Sequence, residues 1–403
     1  MSAAPEVRLA TDAEPAGPLS AGMRLSSIDI LRGLVIILMV LDHTRDYFMT
    51  GSFTRNAVDP ETSYPALYVT RWITHLCAPS FVFLAGTSAF LKGARDDDTR
   101  GLSWFLFSRG LWLIILEVTV VNFGWNFGLT GPLMQVIWAI GMSMVVLAGL
   151  VWLGPRAVLA IGIAIVAGHN LLDPVDQMNI GQWQLAWNFV HEDAFVQAGG
   201  VPMFIAYPAL PWLGIMCLGY GLGFLFLKLP GERIRTLIFL GLTFLVAFAV
   251  LRFLNGYGDP TPWRVFEDPA RTVMSFFNVE KYPPSLMFTL ATLGISFLLL
   301  AAFERLRGPV AEFFLTYGRV PLFVYVLHIY LIHALQLAVG AALGFPASAF
   351  ILVFEDPAKQ ARWGFDLPVV WLVWLVVIAL LFLPARWFGR VKRTRRDWWL
   401  SYL

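Results

Sequence analysis

About ten times along this chain, the sequence stays apolar for long enough to cross a lipid bilayer. A helix of about 20 apolar residues covers the roughly 30 Å of hydrocarbon. Such stretches run at about 27–48, 67–91, 103–121, 132–153, 157–172, 203–227, 235–254, 284–303, 319–339 and 368–386, the fifth being short. Charged residues are 14% of the 403 and hydrophobic ones 58%, too little charge to coat a soluble protein of this size. The expected fold is an all-α, polytopic integral membrane protein of about ten transmembrane helices. Cys77 and Cys217 both fall inside spans and read as core rather than as a disulfide pair. The net charge of +2 offers nothing to nucleic acid.

The Lys and Arg bias of short loops orients the spans. With the N-terminus inside, the inner loops carry Lys92, Arg95 and Arg100, then Arg156, then Lys228, Arg233 and Arg235, then Arg305 and Arg307. Outer loops 122–131 and 173–202 carry no Lys or Arg. Both termini are therefore expected inside. Residues 1–22 lack the apolar core of a signal peptide and read as a disordered cytoplasmic tail. Residues 23–390 form the membrane domain, and 391–403 a basic, aromatic juxtamembrane tail. Residues 308–340 as one helix would be about 50 Å long, so a break is expected at Gly318, with a new span from Arg319. QWQLAWNFVHEDAF suggests a short interfacial helix in an outer loop, and AGTSA and GYGLG read as helix-packing faces.

The first span poses a chemical question. Leu34 to Leu41 is pure hydrocarbon, yet Asp29 and Arg32 stand on one side of it and Asp42, His43, Arg45 and Asp46 on the other. A charge in hydrocarbon costs about 3 kcal/mol or more and normally faces a protein interior or a wet cavity. Arg32 and His43 are eleven residues apart, so they share one helix face roughly 16 Å apart, with Asp42 turned about 100° away. In the second span Arg71 and His75 lie one turn apart. Pro79 removes the amide that would bond the His75 carbonyl, which predicts a kink. Glu117 lies in the outer third of the third span and Asn122 follows it; Arg252 closes the seventh, and KYPPS (Lys281–Ser285) leads into the eighth.

Most of these polar groups gather in the outer half, leaving Asp29, Arg32, Arg109 and Arg319 at the inner end. His43, His75 and Glu117 are expected to share one cavity bounded by the first three spans. His169, His191, His328 and His333 read as satisfied interfacial histidines. The sequence holds no His-x-x-x-His pair, no Cys cluster and no HExxH, so no metal is expected.

RLSSIDILRGLVIILMVLDHTRDYF, RWITHLCAPSFVFLAGTSAFL, RGLWLIILEVTVVNFGW, KYPPSLMFTLATLG, YGRVPLFVYVLHIYLIH and the terminal RRDWWLSYL together resemble bacterial members of the heparan-alpha-glucosaminide N-acetyltransferase-like family, from about Arg24 to Leu403. Arg32-x10-His43 also resembles the Arg-x10-His signature of the acyltransferase-3 class of membrane O-acyltransferases. The resemblance implies an acetyl-CoA-dependent acyltransferase of the bacterial cytoplasmic (inner) membrane. It would carry an acetyl or other acyl group from cytoplasmic acyl-CoA to a sugar hydroxyl or amine of a glycan or glycolipid at the far face, without a metal. Arg32, Asp29, Arg319 and Arg109 would then form the donor's phosphate end, and the apolar track to His43 is comparable to an extended pantetheine arm.

There is one departure. In the eukaryotic enzyme the proposed active-site His lies before the second span, in a KH-x-SWNG-like stretch, whereas TRNAVDPETSYPALYVTRW here holds no His. Direct transfer is therefore expected, with His43 as general base, Asp42 or Glu117 orienting it, Arg45 or Arg71 near the acyl oxyanion, and His75 close by. Arg71, Asp46, Asn122, Lys281 and Tyr282 read as acceptor-binding. A transporter or flippase is the alternative, but it should show paired broken helices in the two halves, and none is evident. Acceptor identity, acyl chain length and oligomeric state, a homodimer included, stay open.

Overall fold

The computed structural model describes residues 25–52, 55–176, 178–352, 357–360, 362–395 and 397–402, so the expected 1–22 tail lies outside the described residues. The first helix, α1 (Ser26–Phe48), is followed by α2 (Pro65–Ile73) and α3 (Cys77–Asp96), which are joined by a 3-10 turn at Thr74–Leu76. That turn is the break expected from Pro79, whose missing amide leaves the His75 carbonyl without its helical partner. Asp98 caps α4 (Thr99–Leu116) by accepting from the Gly101 amide at 2.9 Å. The helix then widens into a π turn at Glu117–Val121 before α5 (Asn122–Asn126).

Next come α6 (Val136–Leu150), α7 (Pro155–Gly168), α8 (Asp173–Asp176) and α9 (Gln184–Val190). The remaining helices are α10 (Ala209–Gly221), α11 (Pro230–Leu254), α12 (Pro269–Phe277), α13 (Leu286–Phe303), α14 (Pro309–Gly318), α15 (Pro321–Ala342) and α16 (Leu367–Thr394). Proline in the first turn opens α2, α7, α11, α12, α14, α15 and α16, where its missing N–H leaves no helical bond unmade. The break at Gly318 falls where helix length demanded it. The last helix runs on past residue 391, through Thr394, before the short turn Trp398–Ser401.

The chain is an all-α polytopic membrane protein. Nine helical segments among the described residues are long and apolar enough to span. The tenth, α1, is a span's length at 23 residues, but every 18-residue window of it holds at least three charges. It tolerates them because α3, α13, α14, α15 and α16 enclose it, so its charges meet protein rather than lipid. α11 is the opposite case: only 22% of its apolar window is buried, and Phe239, Leu242, Val246 and Val250 face outward as a lipid surface requires.

Close approach of backbones locks α1 to α14. A Cβ on Gly33 would lie 1.9 Å from the Phe314 carbonyl oxygen, and one on Gly318 would lie 1.7 Å from that of Asp29. The AGTSA and GYGLG runs meet in the same way, with Gly86 of α3 against the Met216 carbonyl and Gly219 of α10 against that of Phe83.

Outside the helices lies a small sheet, β1 (Leu133–Met134), β2 (Ala194–Ala198) and β3 (Val201–Ile205), in the order β1-β3-β2. Gly199 and Gly200 supply the two positive-φ positions of the β2–β3 turn. This sheet corrects the sixth span: residues 203–205 are strand, and the membrane helix begins at Ala209. Alternating apolar residues next to a helix cannot be assigned by hydropathy alone.

Candidate functional site

A cavity of ≈1440 Å³ penetrates the bundle from the Arg32 end of α1. That exceeds the roughly 300–1,000 Å³ usual for small-molecule pockets. Eight cations line it, namely Arg32, Lys92, Arg95, Arg109, Lys228, Arg233, Arg319 and Lys392, with Asp29 as the one acid. Further along α1 the wall turns apolar, through Ile36 and Met39, facing Leu113, Val136 and Ile137, and it reaches Tyr325. Asp29, Arg32, Arg109 and Arg319, the four residues assigned to the donor, all line this one space. Arg32 is braced by Asp29 at 3.1 Å, by the Leu84 carbonyl and by the Ser88 hydroxyl. The Arg319 guanidinium lies 3.5 Å from Glu312.

Beyond Tyr325 sits a pair of stacked imidazoles. The Tyr325 ring centroid is 6.5 Å from that of His43 and 5.6 Å from that of His328, and the two His rings stack at 4.9 Å with Trp125 edge-on to His43. His43 Nδ1 lies 2.6 Å from His328 Nε2, and His328 Nδ1 lies 3.0 Å from the Val324 carbonyl. A carbonyl only accepts, so neutral His328 carries its proton on Nδ1 and offers a bare Nε2. His43 must then donate from Nδ1, which leaves the lone pair of neutral His43 on Nε2. This hydrogen-bond chain sets the tautomer a general base needs.

Asp42, turned off that face, joins a polar cluster. Its carboxylate accepts from Arg45 at 3.3 Å and from Arg71, while Arg45 also bonds Asp46 at 2.5 Å. Lys281 and Tyr282 approach from the loop before α13: the Lys281 ammonium lies 4.9 Å from the Tyr282 ring centroid and 6.0 Å from that of Tyr207. Burial pushes the Tyr282 phenol up, but Lys281 and Arg71 beside it hold it below the ordinary tyrosine value. His75 is buried among the same charges, against Phe288 and Trp72, and its Nδ1 has no hydrogen-bond partner among the described residues.

The structure therefore brings Asp42, Arg45, Asp46, Arg71, His75, Lys281 and Tyr282 together, but it separates other expected partners. His43, His75 and Glu117 form no hydrogen-bonded group among the described residues, and none of them lines the large cavity. Glu117 instead accepts from the Trp138 amide at 3.1 Å, at the first turn of α6. There a carboxylate satisfies helix N–H groups and meets the positive end of the helix dipole. Asn122 reaches the carbonyls of Thr130 and Gly131 and ties its own loop. Neither Asp42 nor Glu117 bonds His43; its hydrogen-bond partner is His328, read from sequence as an ordinary interfacial histidine. His333 fits that description, with its two ring nitrogens 3.0 and 2.8 Å from the carbonyls of Gly124 and Phe350. Arg252 is likewise structural, since it bonds the carbonyls of Thr261, Ser275, Phe276 and Asn278 and so folds the loop that ends at Lys281.

A sequence profile described as "Heparan-alpha-glucosaminide N-acetyltransferase, catalytic" matches residues 24–253, more than half of the chain. The match takes in the cavity wall of α1, α3, α4 and α6, together with His43, Asp42, Arg71, His75 and Glu117; His328 and the Lys281–Tyr282 loop lie beyond it. Among curated proteins, none matches the chain.

Proposed function

Since the chain belongs to the heparan-alpha-glucosaminide N-acetyltransferase catalytic family, and is thereby a membrane acetyltransferase, we propose that it transfers acetyl directly from acetyl-CoA in the cationic cavity to a sugar hydroxyl or amine held by the Arg71–Lys281–Tyr282 cluster. The observation that carries this reading is the lining of one cavity, which passes from eight cations to hydrocarbon and ends at Tyr325, against the His43–His328 pair. Phosphates suit the cationic end, where Arg32, Arg109 and Arg319 supply guanidinium donors. The pantetheine arm suits the apolar end. Arg32 to His43 spans roughly 16 Å along α1, a reach that supports a thioester near the histidine layer.

In the transfer step, His43 Nε2 takes the proton from the acceptor O–H or N–H as its heteroatom bonds the acetyl carbonyl carbon. The C–S bond breaks, and the CoA thiolate leaves and takes up a proton. His328 holds His43 in the required tautomer, and Arg71 or Arg45 faces the developing oxyanion. Lys92 and Arg95 lie in the last turns of α3 and Lys228 just before α11, ends that the charge bias reads as cytoplasmic, which supports entry of the donor from that side of a bacterial inner membrane, with both chain termini inside.

The test uses the purified chain in proteoliposomes with labelled acetyl-CoA, and glucosamine or methyl glucoside as amine and hydroxyl acceptors. Acetyl-CoA-dependent label in the sugar is expected. Acetyl-CoA-independent movement of sugar across the vesicle, with no thioester cleavage, would favour a transporter and defeat this reading.

A further inference from the structure

Two histidines and two aspartates around the far end of α7 belong to neither the donor cavity nor the acceptor cluster. His169 follows the last turn of α7, Asp173 opens α8, and His191 ends α9. Both histidines are buried, at 3% and 0% exposure. One ligand atom from each of His169, Asp173 and His191 falls within 4.8 Å of the others.

With both imidazoles neutral, the protons of this group can leave its centre without a donor. His191 Nδ1 lies 3.0 and 3.1 Å from the Asp176 oxygens and must carry the proton, because a carboxylate only accepts. Neutral His191 then has a bare Nε2, which faces the His169 carbonyl at 3.1 Å and His169 Nδ1 at 3.2 Å. The His169 ring also has the Pro284 carbonyl as an acceptor for its single proton. With that proton given to Pro284, lone pairs converge on one point from the His191 ring, the His169 ring and the His169 carbonyl, and the Asp173 carboxylate stands beside them. A bound cation satisfies these lone pairs without adding a proton. The spacing agrees, since two imidazole nitrogens on a tetrahedral zinc, each 2.0–2.1 Å from it, stand about 3.3 Å apart.

We propose that His169, His191 and Asp173 form a site for a divalent transition-metal ion of the zinc type. Asp176 positions His191 through Nδ1, the arrangement by which carboxylates orient metal-bound imidazoles, and the Trp187 indole N–H holds Asp176 in turn at 2.7 Å. Asp173 is steadied by the Asn170 amide at 3.1 Å. Asn170 Oδ1 also accepts from the Leu286 amide at 2.9 Å. The metal thus clamps α7, α8 and α9 to the segment that follows Lys281 and Tyr282, in a structural role at the edge of the acceptor cluster.

The test is a titration of the full chain, free of any polyhistidine tag and stripped with chelator, with Co²⁺ and then Zn²⁺. Expected are one equivalent of Co²⁺ with the visible spectrum of a tetrahedral site, displacement by Zn²⁺, and a raised unfolding temperature in the loaded protein. His169→Gln/His191→Gln should lose the spectrum, and Asp176→Asn should weaken binding roughly 10–100-fold. Failure of the wild-type chain to bind one equivalent overturns the proposal whether or not the variants fold. So does undiminished binding by the double variant. None of these readouts depends on acetyl transfer.

Discussion

Replacing His328 with alanine should slow acetyl transfer without weakening donor binding. His328 is fully buried, about two turns into α15, and its Nε2 is the acceptor for His43 Nδ1–H at 2.6 Å. Removing it strands a buried donor, which costs about 1–3 kcal/mol, or lets His43 flip to the tautomer with its proton on Nε2. If that cost falls on the transition state, each 1.36 kcal/mol is a factor of ten, so a loss of about 5–150-fold in kcat follows. His43→Gln removes the base itself, and the expected loss is about 10²–10⁴-fold. His328→Gln should recover part of the rate, because its amide oxygen can still accept from Nδ1. The assay is steady-state transfer from acetyl-CoA in proteoliposomes, with kcat and donor KM determined separately and unfolding temperature as the folding control. Near-normal turnover by His43→Gln would refute the reasoning. The base would then be sought at His75, whose Nδ1 is unpartnered.

Four further outcomes follow from named contacts. Arg32→Ala/Arg319→Ala should raise the acetyl-CoA Kd by about tenfold or more, since hydrogen bonds to a charged group contribute about 1.5–3 kcal/mol each, and isothermal titration with acetyl-CoA checks it. Glu117→Gln should leave kcat within a few-fold, because the amide oxygen still accepts from the Trp138 amide; a loss of several hundredfold would give Glu117 a chemical role instead. Lys281→Ala should raise acceptor KM by about 10–100-fold and leave acetyl-CoA KM unchanged in the same kinetic assay. Gly318→Ala should destabilise the fold by about 1–3 kcal/mol, seen as a lower unfolding temperature, because its Cβ has no room beside the Asp29 carbonyl.

Much of the cationic cavity is legible in the chain. Asp29, Arg32, Arg109 and Arg319 share one depth, and depth is counted along each helix from its own ends. The polar cluster around Asp42 is partly legible for the same reason: Arg71, Asp46, Lys281 and Tyr282 all lie at the ends of their spans away from Arg32. Glu117 and Asn122 share that depth, yet one is held by the amides of α6 and the other by its own loop. Nothing within its own helix marks His328; its significance is the stacked His43 ring, 285 residues away in sequence. The His169–His191 contact was hidden likewise, with two helix ends and a loop between the partners.

The sequence by itself determined the solvent and most of the spans, and it predicts their sense. Hydrocarbon thickness sets a length, and the Lys and Arg bias sets a direction, and both are properties of local segments. It also determined that Arg32 and His43 share a face, because helical periodicity is local too. The tertiary structure decided which neighbour each face meets. Hydrophobic burial has no direction and specifies no partner, so the packing of α1 against α14 and α15 had to place His328 on His43, just as the start of α6 had to be brought to Glu117.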